Sequence, residues 1–102
     1  MAIRHVVLFR LVTDDPTEKA AQIAEADRRL GALVGVIPGL RSLGARANAL
    51  DDDRNSDYVI VGDFDGLDAV RVYATHPAHL EFIAFMSPLN VGSSRAAVDF
   101  EI

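Results

Sequence analysis

The stretch IRHVVLFRLV, Ile3 to Val12, decides the fold. One parity carries Ile3, His5, Val7, Phe9 and Leu11, and the other carries Arg4, Val6, Leu8, Arg10 and Val12. Successive side chains of an extended chain point to opposite faces, so this alternation has the period of a β-strand. The first parity is the more apolar. The second still holds three aliphatic residues, so both faces of the strand call for cover.

Working outward, Asp15-Pro16-Thr17-Glu18 supplies an N-cap acceptor, a proline at the first helical position and a carboxylate in the first turn. The spacing predicts a helix from about Pro16 to Val34. Ala20, Ile23, Ala24, Ala26, Leu30, Leu33 and Val34 form its apolar stripe, and Lys19, Glu25, Arg28 and Arg29 face mostly outward. Pro38-Gly39 then punctuates the chain before a second extended segment, Leu40 to Ala47. The polar run Asn48 to Ser56 reads as a hairpin loop, and Tyr58 to Phe64 as the third strand. Asp65-Gly66-Leu67-Asp68 opens a second helix with Leu67, Val70, Tyr73 and Ala74 on one stripe. Proline disfavours the helical region for its predecessor, so His76-Pro77 should break this helix. A short continuation would carry Leu80, Ile83, Ala84 and Met86, and Arg95 to Ile102 would form the last strand.

The resulting order is β-α-β-β-α-β, an α+β fold of the ferredoxin-like type: a four-stranded antiparallel sheet with helices on one face. The other face is left bare. The run Tyr58-Val59-Ile60-Val61 is apolar in both parities, as the Ile3–Val12 strand is, so a second copy of the chain is expected to cover that face in a symmetric homodimer. The competing expectation is that Arg4, Arg10 and the aspartates keep it solvated.

Composition sets the outer limits. The chain has 102 residues, enough for one core and too few for two, so residues 1–102 are expected to form a single domain. It has no cysteine, which excludes disulfides and thiolate metal sites and fits a reducing cytoplasm. A net charge of -5 opposes phosphate backbones and anionic lipid, so neither nucleic acid nor a membrane surface is an expected partner. The opening residues lack the pattern of a signal peptide, and no apolar run approaches the roughly 20 residues that cross a bilayer. The expected location is the cytoplasm.

Three motifs recur in a recognisable order: Ile3-Arg4-His5-Val6-Val7-Leu8-Phe9, Ile37-Pro38-Gly39-Leu40, and Tyr73-Ala74-Thr75-His76-Pro77-Ala78-His79. With the closing Val98-Asp99-Phe100-Glu101, they make the chain resemble the stress-responsive A/B barrel (Dabb) family along nearly its whole length. The resemblance implies a dimeric α/β barrel of two facing sheets. It also implies a pocket between helices and sheet lined by the positions of His5, Tyr73 and His79. In the polyketide-cyclising branch, matching histidine and tyrosine residues act in an aldol-type ring closure. That branch also has a tyrosine on the first helix, whereas this chain has no aromatic residue between Pro16 and Val34.

Read as chemistry, the three histidines are the first candidates, because imidazole exchanges protons near neutral pH. His5 shares its parity with Ile3, Val7 and Phe9, so it should enter the helix-covered core. There it either meets a substrate carbonyl or is a satisfied core residue. His76, before proline, suits a helix cap or turn better than a base. His79 is placed to turn back under Tyr73. As base and donor, His79 and Tyr73 would remove a proton beside a carbonyl and stabilise the enolate, with His5 as orienter.

A His-x-x-His metal site is not expected, since Pro77 breaks the helical phase and no carboxylate supports it. Asp51 to Asp57 imitates the opening of a calcium loop but lacks its glycine and closing glutamate. No dinucleotide, phosphate-loop or nucleophile-elbow motif is present, so no cofactor is expected. Arg4, Arg10, Arg41 and Arg46 could hold a substrate carboxylate, or be solvated or interface residues.

Two functions follow. In one, the protein binds a small carbonyl or aromatic, polyketide-like molecule, with acid–base chemistry of a cyclase or lyase type by His5, Tyr73 and His79. In the other, it is a non-enzymatic dimeric stress-response or interaction protein, with those residues kept apart by packed apolar side chains. A monooxygenase of the related antibiotic-biosynthesis barrels shares the fold but lacks its motif here.

Overall fold

The strand that opens the chain ends up inside the sheet. In the computed structural model, which describes residues 1–102, β1 (Ile3–Leu11) is hydrogen-bonded on one side to β3 (Tyr58–Phe64) and on the other to β4 (Asn90–Glu101). β2 (Leu40–Ala47) pairs with the free side of β3, giving the antiparallel order β2-β3-β1-β4. Helices α1 (Pro16–Gly31), α2 (Leu67–Thr75) and α3 (Pro77–Met86) lie on one face. This is the ferredoxin-like arrangement read from the order of elements.

The parity of β1 sorts its side chains as expected: Ile3, His5, Val7 and Leu11 are buried beneath the helices. They meet Tyr58, Ile60 and Phe64 of β3 and Leu40, Leu43 and Ala45 of β2, all buried. From α1, Ile23, Ala26 and Leu30 close the core. Ala20, Ala24 and Val34, placed on the same stripe from spacing alone, are exposed instead.

Asp15 caps α1 by accepting from the Thr17 backbone N–H at 2.8 Å, and Pro16 begins the helix. The C-terminus differs from the expectation: the helix stops at Gly31, before Val34. Leu33 and Ile37 still enter the core, but from a run of turns in which Gly35 has φ +88°. The apolar spacing is thus satisfied by a turn rather than by another helical turn. At the other end of the chain, β4 starts at Asn90 rather than Arg95. Its first part, rich in glycine and serine, has no alternating apolar pattern. Backbone pairing with Arg10 and Leu11 makes it a strand, beyond a register shift between Leu8 and Arg10. There the Ser94 hydroxyl accepts from the Arg10 backbone N–H at 2.8 Å.

Gly39, in the Pro-Gly turn before β2, has φ +78°, and a Cβ there would lie 2.6 Å from Ala69 Cβ on α2. At Gly35 the φ is also positive, but a Cβ would meet nothing within 4 Å. Gly39→Ala should therefore lose about 2–4 kcal/mol from backbone strain plus overpacking, and Gly35→Ala only about 1 kcal/mol from strain. Urea midpoints of the two variants check this; equal losses would show that the α2 contact costs nothing.

The face opposite the helices carries Val6 and Leu8 of β1, Val59 and Val61 of β3, and Val98 and Phe100 of β4. Leu8, Val98 and Phe100 are 37, 55 and 43% exposed, a contiguous apolar surface with no cover in the protomer. The charges meant to keep this face wet are engaged: Arg4 makes a two-pronged pair with Asp63 at 2.8 and 3.1 Å, and Arg10 donates to the Asp53 carbonyl. No helix is long and apolar enough to cross a membrane.

Candidate active site

His5 and Asp99 face each other across the β1–β4 ladder, which brings a ring and a carboxylate from opposite ends of the chain together. His5 Nδ1 lies 2.5 Å from Asp99 Oδ1. A carboxylate only accepts, so the proton sits on Nδ1 and Nε2 keeps the lone pair. His5 is 8% exposed, and its Nε2 has no partner within the protein.

Tyr73 comes from α2, and its ring is packed edge-on to Phe64 (centroids 5.1 Å apart) and to His5 (5.9 Å). His79 comes from α3. Six residues apart on one continuous helix, Tyr73 and His79 would point about 120° away from each other. The break at His76-Pro77 removes that mismatch. His76 sits extended at φ -64°, ψ 135°, and its Nδ1 caps α3 by accepting from the Ala78 backbone N–H at 3.1 Å. The redirected α3 lays the His79 ring on Tyr73 with centroids 3.8 Å apart and planes 28° from parallel. His76 is therefore a helix cap, and it holds the pair in place.

His5, Tyr73 and His79 line one cavity of ≈ 460 Å³ between helices and sheet. Val7, Ile60, Phe82, Ile83 and Met86 make most of the remaining wall, and Ser87, Asn90 and Arg95 add polar groups toward β4. Asn90 is already engaged, since the Tyr58 hydroxyl donates to its Oδ1 at 2.6 Å; burial pushes that phenol up to about 12. The Tyr73 hydroxyl makes no hydrogen bond within the protein. It nevertheless escapes full enclosure, for Gln22 Oε1 is the one fully buried side-chain polar atom without a partner. Tyr73 lines the cavity, and its hydroxyl is not sealed off from solvent.

The protonation states suit proton transfer. Burial holds the His79 imidazole below its ordinary value, against the opposing pull of the Ala74 and Tyr73 carbonyls, so the ring is neutral at neutral pH. Its Nδ1 lies 3.4 Å from the Ala74 carbonyl oxygen, to which Nδ1–H is the natural donor, leaving Nε2 as the basic atom. Burial raises the Tyr73 phenol, so it remains a donor.

Two residues at the site were not among the expected ones: Asp99, which meets His5 but does not line the cavity, and Arg95, which lines it. Asp99 was visible only as the charged residue between Val98 and Phe100; its link to His5 needs the strand register, which depends on a partner 94 residues away. Arg95 stood at the expected start of β4 and carried no signal of its own. Conversely, Arg4, Arg10, Arg41 and Arg46 all lie outside the cavity, with Arg41 paired to Asp65 at 2.6 Å and Arg46 to Asp27 at 3.2 Å. In the hairpin loop, Asp57 accepts from Lys19 and from the Leu11 backbone N–H, and Asp52 from Arg54, so these acids hold the loop itself.

The model of a protein family described as the stress responsive A/B barrel domain matches residues 3–102. A search of curated proteins finds no match. Among solved structures, a dimeric protein of unknown function with a ferredoxin-like fold from Bacteroides fragilis is similar at TM-score 0.82 and 29% identity, over 99% of this chain and 96% of that one. A dimeric ferredoxin-like protein of unknown function from Thermobifida fusca is 32% identical, with TM-score 0.78, over 100% of this chain and 92% of its own. A hydroxynitrile lyase from Passiflora edulis shares the fold at TM-score 0.75 and 16% identity, over 99% of this chain and 93% of that one.

Proposed function

We propose, from the premise that this chain belongs to the stress responsive A/B barrel domain (Dabb) family, that it binds a small carbonyl compound in the cavity and moves a proton beside the carbonyl. One observation carries the reading: His5, Tyr73 and His79 line a single, mostly apolar cavity, and His5 Nε2, the Tyr73 hydroxyl and His79 Nε2 have no hydrogen-bond partner in the protein. Such groups are left unsatisfied unless water or a ligand meets them. His79 Nε2 takes the proton from the carbon next to the carbonyl, and the Tyr73 O–H donates to the oxygen as negative charge develops there. His5, held by Asp99 in the tautomer that directs Nε2 inward, fixes the other side of the ligand. The apolar part of the wall offers a non-polar ligand body its contact surface, and the cavity's size suits an aromatic or short polyketide-like skeleton.

The working unit in this proposal is a homodimer closed through the bare sheet face, with a reducing cytoplasm as its setting. The exposed apolar strip on β1 and β4 and the description of the Bacteroides and Thermobifida proteins as dimeric support it.

The test uses 2-tetralone, an uncharged bicyclic ketone, in D2O. Deuterium should enter beside the carbonyl faster than in buffer, and His79→Ala should lower that excess by about 10²-fold or more. Because His79 titrates below the ordinary value of 6.5, the rate should hold as the pH falls to 6.5 and decline only below it. Exchange no faster than buffer would leave a binding cavity without acid–base chemistry. Unfolding gives a linked prediction. The folded state resists protonating His79, so the unfolded state binds more protons as the pH drops from 6.5 toward the lowered folded value. Stability should fall through that window, and His79→Gln should flatten the slope in urea midpoints measured from neutral to mildly acidic pH.

A further inference from the structure

The chain has ten lysine and arginine residues. Nine meet an acceptor in the protein: Arg4, Lys19, Arg28, Arg29, Arg41, Arg46, Arg54 and Arg71 pair with carboxylates, and Arg10 bonds a backbone carbonyl. Arg95 alone has no partner, in a chain where acidic residues outnumber lysine and arginine fifteen to ten. It lies on the cavity wall, on the same side of β4 as Ala97 and Asp99, the side facing the helices.

We propose that the cavity takes a ligand with an apolar body bearing a single carboxylate, and that Arg95 is the residue that holds this carboxylate. The proposal rests on reading the cavity as a small-molecule site and names the ligand's class. A guanidinium presents parallel N–H donors in a rigid fork that matches a carboxylate with two bonds. Its charge acts within the cavity, since it draws the Tyr73 phenol downward against the effect of burial. No second lysine or arginine lines the wall, and Asp99 stands on the same side of β4, so one negative charge is matched and a doubly charged phosphate is opposed. With the carboxylate at Arg95, the apolar body of the ligand runs along Val7, Phe82 and Met86 toward Tyr73 and His79. Arg95 would thereby select acids over their neutral analogues.

Calorimetric titration with 2-naphthoate and its neutral isostere 2-naphthamide, with imidazole NMR signals followed in parallel, tests this. The wild type should bind the acid at least about tenfold more tightly than the amide. In Arg95→Gln that preference should vanish while amide binding stays, and Arg95→Lys should restore part of it. Inorganic phosphate at the same concentration should not displace the acid. An Arg95→Gln protein that keeps the full preference overturns the assignment, as does displacement by phosphate. Equal binding of acid and amide by the wild type overturns the Arg95 anchor and leaves the cavity a small-molecule site. Neither probe binding, with His5 and His79 signals unmoved, overturns both.

Discussion

Val98→Glu is expected to leave the protomer folded and to abolish the proposed dimer. Val98 is 55% exposed in the protomer and sits directly opposite Val6 on the bare face. At such a surface position a polar side chain changes protomer stability by only about 0.5 kcal/mol. In a symmetric dimer the substitution appears twice, because the same patch serves both partners. In the proposed interface each copy would bury a carboxylate beside Val6, Leu8 and Phe100, where Arg4 is already committed to Asp63. An uncompensated buried charge costs several kcal/mol even after relaxation, so two raise the dissociation constant by more than about 10⁴-fold. Sedimentation equilibrium should show two chains of 11.0 kDa associated in the wild type and one in the variant. A wild-type monomer, or a Val98→Glu dimer of undiminished affinity, would show that the apolar face is not the interface.

Phe64→Ala is expected to be the costliest single truncation in the core. Its side chain is 0% exposed, aligned with Ile3 on β1 and Leu40 on β2, and its ring contacts both His5 (6.1 Å) and Tyr73 (5.1 Å). Removing a buried phenyl ring loses its transfer energy and leaves a cavity that strands on both sides cannot close, at about 3–5 kcal/mol. For a domain of this size the melting temperature should drop by at least about 12 °C. Calorimetry gives the value directly. A loss below about 1 kcal/mol would mean that the sheet collapses onto the gap, and the edge-on support of Tyr73 would have to come from elsewhere.

The order and type of the elements were legible because each rests on local physics. β1 shows two-residue alternation, Asp15-Pro16 caps and starts α1, Pro38-Gly39 turns into β2, and Pro77 ends one helix and starts the next. Boundaries were legible only where a local signal marked them. The end of α1 and the start of β4 were displaced because one is set by how Leu33 and Ile37 reach the core, and the other by backbone pairing with Arg10 and Leu11.

The candidate site divides in the same way. The placement of His5 inside the helix-covered core followed from strand parity, and the capping role of His76 from the proline after it. That His79 stacks on Tyr73 required the actual angle between α2 and α3. The sequence by itself thus determined the ferredoxin-like order, the inward parity of β1 and the bare apolar face, because periodicity, capping and proline geometry act between neighbours in the chain. Only the tertiary structure decided that Asp99 orients His5, that Arg95 is left unpaired on the cavity wall and that three polar groups share one apolar space. Those relations depend on strand register and helix packing, which join residues far apart in the chain.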